Sequence, residues 1–91
     1  MGVTKTYKQL ERHFKGIANH RRVQILFLLW RESDLSLESI AERLDCNSKT
    51  ISEHTQRLVR AGLVEKRYKG REVLHSLLPY GVKMIKILRD F

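Results

Sequence analysis

The sequence predicts a mainly α-helical domain of about five helices with one small, two-stranded β-hairpin. Three observations support this fold class. Apolar residues recur at helical spacing through most of the chain. Side chains suited to cap helices precede several of these stretches. Residues 63–78 alone combine two runs of β-forming residues with a glycine between them. The length of 91 residues suits one small domain, and we expect residues 1–91 to form it.

The first two helices are predicted from apolar spacing and from the residues that flank them. The first covers residues 7–15, and Gly16 is expected to end it. Asn19 is placed to cap a second helix over residues 20–31. The apolar run of this segment would also suit a buried strand, but its length and its polar cap favour a buried central helix.

A third and a fourth helix are predicted on either side of a tight turn. Ser36 can cap the third helix, which reaches about Leu44. Asn47 or Ser48 can cap the fourth, which reaches about Ala61. Two helices joined by a turn of three residues form a helix-turn-helix.

The remaining chain predicts a hairpin followed by a last helix. Residues 63–68 and 72–78 are the two strand candidates, and the tip between them is Lys69-Gly70-Arg71. Pro79 suits the first turn of a helix because its missing N–H needs no partner there. That last helix is expected to reach Phe91.

Positive charge is concentrated in one stretch of the chain. The formal net charge is +8, and residues 47–71 contribute seven basic and two acidic side chains. Such a surplus predicts attraction to polyanions, of which nucleic acid is the commonest. Ordinary solvated charge is the alternative, but clustering within one stretch favours a phosphate-binding face.

The fourth helix and the hairpin tip carry the side-chain types that contact duplex DNA. Hydroxyl, amide and cationic groups bind phosphates or base edges. We expect the helix to enter the major groove and the tip to lie along the minor groove or flanking phosphates. The candidate DNA-binding residues are Ser48, Lys49, Thr50, Ser52, Glu53, His54, Gln56, Arg57, Arg60, Arg67, Lys69 and Arg71.

The last helix has a wider apolar arc than the thin core of so small a domain can cover. The first helix offers apolar side chains that could pair with it. We therefore expect a two-fold homodimer through the first and last helices. The candidate dimerisation residues are Tyr7, Leu10, Phe14, Met84, Ile87, Leu88 and Phe91.

Several stretches resemble the winged helix-turn-helix of the ArsR/SmtB-type repressors. The most specific are Arg22 followed by Ile25-Leu26, the segment 50–54 (TISEH), and the segment 61–64 (AGLV) leading to Gly70-Arg71. The similarity covers about residues 14–78. It implies a homodimeric transcription regulator whose fourth helix enters the major groove, with the first and last helices pairing across the two-fold axis.

The chain departs from that family where metal sensing is concerned. Metal-sensing members carry a cysteine pair near the helix that enters the major groove, which corresponds to the fourth helix here. This sequence has only Cys46 in that region. Other members bind zinc on the last helix, which here contains Asp90 and no histidine. Thr55 also stands where the family usually has leucine. No metal site and no cofactor are expected.

These observations together predict a sequence-specific, double-stranded DNA-binding repressor that covers a promoter as a homodimer. Catalytic triads, paired carboxylates and glycine-rich phosphate loops do not stand out, so no enzyme is expected. An apolar run of about 20 residues is also missing, which predicts a cytoplasmic, nucleoid-associated protein without membrane contact. A protein-docking winged helix that meets an acidic partner, or a non-specific nucleic-acid-binding module, stays open as an alternative.

Overall fold

The computed structural model describes residues 4–91, so positions 1–3 of the predicted 1–91 domain lie outside the described residues. The described chain forms five helices and three short strands. In chain order they are α1 (Tyr7–Ile17), α2 (His20–Arg31), β1 (Leu35–Ser36), α3 (Leu37–Arg43), α4 (Ser48–Arg60), β2 (Val64–Lys69), β3 (Glu72–Leu77) and α5 (Pro79–Arg89).

The helices begin at side chains that satisfy the first backbone N–H groups. The predicted caps Asn19 and Ser36 are confirmed, since Asn19 accepts from α2 and Ser36 from α3. Of the two candidates for the cap of α4, Asn47 and Ser48, the structure selects Asn47. Asn47 Oδ1 accepts from the Thr50 N–H at 2.8 Å, which fixes the residue at which α4 begins. A capping box at Thr6, which the sequence reading did not predict, begins α1.

Several predicted boundaries are wrong. Gly16 does not end α1, which continues to Ile17, because Gly16 lies in the contact where α1 crosses α4. The turn between α3 and α4 has four residues, Leu44 to Asn47, and not three. The last helix ends at Arg89, so Phe91 lies beyond it.

The β-structure has three strands where the sequence predicted two. The order is β1–β3–β2, and both pairings are antiparallel. Leu35 of β1 pairs with His75, whose Nδ1–H donates to the Leu35 carbonyl at 2.9 Å. Lys69 pairs with Glu72, which leaves a two-residue turn. The positive φ of Gly70, +61°, fits the first central position of a type II′ turn.

The core is centred on α2, as its apolar run predicts. Ile25 and Leu26 are completely buried, and they pack in one cluster with buried residues of every other helix except α1. Ile51 and Leu58 bring α4 into this cluster. Because those residues hold one side of α4 against the core, the opposite side faces outward. The hairpin of β2 and β3, here called the wing, lies beside it.

Candidate nucleic-acid interface

The burial pattern of α4 separates an inward and an outward face. Ile51, Thr55 and Leu58 recur at helical spacing and are at most 1% exposed, so they form the inward face. On the other side, the exposed members of the predicted DNA-binding set are Ser48, Lys49, Glu53, Gln56, Arg57 and Arg60. Thr50, Ser52 and His54 are half-buried at the edges of this face.

The N-terminal turn of α4 is exposed and positively charged, and the chain just before it is hydrogen-bonded to α2. Its first turn contains Lys49 and no acidic residue, so the helix dipole and the side chain both favour an anion there. Behind the turn, Arg21 Nη1 donates to the Leu44 carbonyl at 3.2 Å. This bond ties the turn before α4 to the central helix α2.

The wing brings only part of its predicted cationic cluster to the tip. Lys69 and Arg71 are exposed on either side of Gly70. Arg67 is further from the tip, and its guanidinium donates to the Asp34 carboxylate in the loop before β1. Because this pair partly neutralises Arg67, the free positive charge of the wing comes mainly from Lys66, Lys69 and Arg71.

A cleft of about 410 Å³ separates α4 from the wing. Ser52 and Gln56 line it from α4, and Lys66 and Arg71 line it from the wing side. Glu38 and Glu72 add negative charge. A cleft with hydroxyl, amide, cationic and carboxylate groups can make directional hydrogen bonds, which is the chemistry that base edges require.

His75 is buried at the floor of this cleft. Burial lowers its pKa, Lys66 lowers it further, and the hydrogen bond to Leu35 and the charge of Glu38 act in the opposite direction. A carbonyl can only accept, so the proton of the neutral ring is on Nδ1. This leaves Nε2 as an acceptor, and the ring fixes β1 against β3.

The C-terminal half of α4 has a different environment. Arg57 and Arg60 line a crevice of about 170 Å³ together with Arg22 from α2, and with Arg12 and Lys15 from α1. Burial and the neighbouring Arg57 lower the pKa of Arg22. Arg22 is absent from the predicted site residues, because the crevice arises where α1 and α2 meet α4, which is distant from them in sequence.

His54 stands between the two halves of α4. Its pKa is lowered by burial first and then by the charges of Arg22, Arg57 and His20, while Glu53 raises it. Its Nδ1 is buried without a hydrogen-bond partner. This position makes His54 a packing residue at the edge of the outward face rather than a fully exposed contact.

The predicted dimerisation residues divide into surface and core positions. Tyr7 and Phe91 are 85% and 98% exposed, and Phe14 and Ile87 are about half-exposed. Leu10, Phe14, Met84 and Ile87 line an apolar groove of about 180 Å³ between α1 and α5. Met84 forms the buried floor of this groove. Leu88 packs against the core.

Over residues 4–91, the side chains of His, Cys, Asp and Glu form no group of three that could hold a metal ion. Within the same range, no helix is both long and apolar enough to cross a membrane.

Comparison with known proteins assigns the chain to a class. The family model of the MarR family matches residues 18–70. The transcriptional activator HlyU of Vibrio cholerae is 37% identical over 75 residues, which are 81% of this chain and 68% of that protein. This chain is a winged-helix transcriptional regulator of the MarR/HlyU/ArsR-type class. The relatives of this regulator are transcriptional regulators, a class of proteins that are not enzymes.

Solved structures support the same class through the fold. HlyU from Vibrio cholerae matches this regulator with a TM-score of 0.82 at 30% identity, covering 97% of this chain and 96% of HlyU. A homodimeric winged helix-turn-helix DNA-binding domain from Mycobacterium bovis, a possible ArsR-family transcriptional regulator, matches with a TM-score of 0.83 at 29% identity. That match covers 99% of this chain and 88% of the other.

A cadmium resistance transcriptional regulatory protein, the CadC homolog of Staphylococcus aureus, is 29% identical over 72 residues. The regulator described here spans 60% of the length of that relative.

Proposed function

We propose that this chain is an ArsR/SmtB-type regulator that binds specific duplex DNA as a homodimer. The N-terminal half of α4 enters the major groove, and the wing tip contacts the adjacent backbone. In this proposal residues 1–91 form one domain, with α1 and α5 as dimerisation elements.

The observation that carries the proposal is the outward face of α4 beside the wing. Ser52 and Gln56 offer a hydroxyl and an amide on the same cleft that Lys66 and Arg71 line. The short polar groups suit base edges, and the long cations suit phosphates. Helices of this kind read bases with their N-terminal residues, and the N-terminus of α4 is open.

Dimerisation is supported by the unpaired apolar surface of α1 and α5. Tyr7, Phe14 and Ile87 are at least 44% exposed, and the last two line the same apolar groove. A second copy would cover these side chains and place two α4 helices about a two-fold axis. The similar Mycobacterium bovis domain is described as homodimeric.

The bound dimer is expected to act as a repressor by covering a promoter in the cytoplasm, at the nucleoid. We propose a binding role and no catalytic role for it. We propose no metal effector, because the sequence has the single cysteine Cys46 where metal-sensing members of the family have a pair.

The test is selection of bound sequences from a random duplex pool by the purified protein. The expected result is a palindrome whose half-sites are about one helical turn apart. Recovery of unrelated sequences at equal affinity would support non-specific nucleic-acid binding instead. A failure to retain any duplex at low salt would contradict DNA binding and favour the protein-docking alternative.

A further inference from the structure

Five cationic side chains from three helices converge on the crevice between α1, α2 and the C-terminal half of α4. They are Arg12, Lys15, Arg22, Arg57 and Arg60. The other two residues of the lining, Gly16 and Ala61, have little or no side chain. The crevice is therefore a purely cationic pocket with a small-residue floor.

The close crossing of α1 and α4 creates this pocket. Gly16 lies so close to Ala61 that a Cβ on Gly16 would overlap the Ala61 methyl group. His13 Nδ1–H donates to the Ala61 carbonyl at 2.6 Å, which holds α1 on the end of α4. This contact brings Arg12 and Lys15 beside Arg57 and Arg60 although about 45 residues separate the two pairs in the sequence.

Four of the five crevice cations, the arginines, form no ion pair within the part of the chain that the structure describes. Lys15 has a carboxylate near it, that of Glu11 at 3.5 Å. The four arginines have no carboxylate within 4.0 Å among residues 4–91. Like charges held together in this way repel one another, and a bound anion would relieve the repulsion.

Arg22 adds a second, independent sign of a ligand. Its Nε is buried and has no acceptor among the described atoms. Its Nη2 has only a long contact of 3.4 Å with the Ala18 carbonyl. Buried donors in folded proteins almost always have a partner, and the described residues supply none for this one.

We propose that this crevice binds a phosphate group. Planar guanidinium groups bind tetrahedral oxyanions through paired N–H donors, and several of them from different helices enclose such an anion. At about 30 Å³ per water molecule in the liquid, the crevice volume of about 170 Å³ equals that of about six waters, which is enough for a phosphate.

Two sources supply this chemistry: the DNA backbone between the half-sites, and a free phosphorylated molecule. The first source rests on the proposed function, since it needs DNA on α4. The second does not, because the crevice would bind the anion in the free protein.

The first arm of the experiment adds inorganic phosphate to the free protein and follows the arginine Nε–Hε signals by NMR. Chloride at equal ionic strength is the reference. Phosphate should shift the signals of Arg22 and Arg57. Arg12→Gln and Arg22→Gln should each reduce that shift several-fold, whereas Arg31→Gln, at the exposed far end of α2, should leave it unchanged.

The second arm titrates random duplex DNA over a salt series with the same variants. The salt slope is the slope of the logarithm of the binding constant against the logarithm of the salt concentration. If the phosphate belongs to DNA, Arg12→Gln and Arg22→Gln each lower the magnitude of this slope by about one unit. Arg12 is exposed, so Arg12→Gln tests the site even if Arg22→Gln weakens the fold.

The two arms distinguish all outcomes. A phosphate-dependent shift without an effect on DNA identifies a free phosphorylated ligand, and an effect on DNA identifies the backbone. Wild-type DNA affinity and slope in both variants, together with no phosphate-dependent shift in the crevice, would overturn the proposal. Failure of the proposed function would instead appear as loss of all DNA binding, which leaves the phosphate arm intact.

Discussion

The two flanks of the outward face of α4 present different chemistry. One flank, with Ser52 and Gln56, lies beside a wing that contributes both cations and carboxylates. The other flank, with Arg57 and Arg60, is surrounded by cations from α1 and α2. Mixed polar groups can discriminate between bases, whereas an all-cationic pocket attracts any phosphate. One helix thus separates sequence reading from sequence-independent affinity by position.

The largest expected effect comes from preventing dimerisation, which separates the two α4 helices of the proposed homodimer. Ile87→Glu places a charge on the half-exposed groove between α1 and α5 and should give a folded monomer by light scattering. Loss of two-site attachment should weaken binding to the selected palindrome by about 100-fold or more, and binding to random DNA by less.

Lys86→Gln is the matched control, since it changes the charge of α5 by the same amount at an exposed position outside the groove. A dimeric Ile87→Glu protein with unchanged affinity would show that α5 does not form the interface.

A smaller effect is expected when the crossing of α1 and α4, which forms the cationic crevice, is disturbed. Gly16→Ala forces α1 away from Ala61, and overpacking of this kind costs about 1–3 kcal/mol. Improved helix propensity returns about 1 kcal/mol of this. Urea unfolding should therefore show a net loss of up to about 2 kcal/mol.

The double variant Gly16→Ala/Ala61→Gly exchanges the two small residues and should recover most of the stability. If the double variant is no more stable than Gly16→Ala, the two helices do not approach as closely as the structure indicates.

The wing should contribute unequally to phosphate binding. Lys69→Gln and Arg71→Gln should each reduce the salt slope by about one unit. Arg67→Gln should reduce it by less than half as much, because the Arg67 guanidinium is already paired with Asp34. Asp34→Asn releases that guanidinium and should strengthen binding to all duplexes. Equal slopes for Arg67→Gln and Arg71→Gln would contradict this division of the wing.

The smallest effect concerns His54, which reports on the charge at the boundary between the two halves. An NMR titration should give a pKa below the ordinary value of about 6.5. Arg57→Gln should raise this pKa without restoring it fully, because burial is the larger cause. A pKa unchanged by Arg57→Gln would show that the crevice charge does not reach His54.

The lowered pKa of His54 also predicts how stability depends on pH. Below about 6.5 the unfolded chain binds more protons than the folded chain, so acidification should destabilise the protein as pH falls through the folded-state pKa. His75, whose pKa is lowered chiefly by burial, contributes in the same direction. Above neutral pH both histidines are neutral in the folded and in the unfolded chain, so neither should make the free energy of unfolding depend on pH.

Local signals in the sequence were sufficient to predict the helices and the wing. Asn19, Ser36 and Asn47 cap the helices that they were expected to cap, because capping depends on a side chain and the next few backbone groups. The inward stripe of α4 was also predictable from helical spacing.

Contacts between distant segments were not predictable in this way. The strand β1 has only two residues, and its pairing with His75 spans 40 positions. The pair between Asp34 and Arg67 spans 33 positions, so no local pattern distinguishes Arg67 from Lys69 and Arg71 among the DNA-binding candidates. The position of Arg22 beside Arg57 depends on tertiary packing and leaves no local pattern.

The division between the two flanks of α4 is tested most directly by Gln56→Ala and Arg57→Gln, since these neighbouring exposed positions lie on different flanks. Each variant is titrated against the selected palindrome and a random duplex over a salt series. Gln56→Ala should lose about 1–3 kcal/mol on the palindrome, with no loss on random DNA and an unchanged slope. Arg57→Gln should weaken both duplexes equally and lower the slope by about one unit. Equal weakening on both duplexes by Gln56→Ala, or a loss of specificity in Arg57→Gln, would contradict the account.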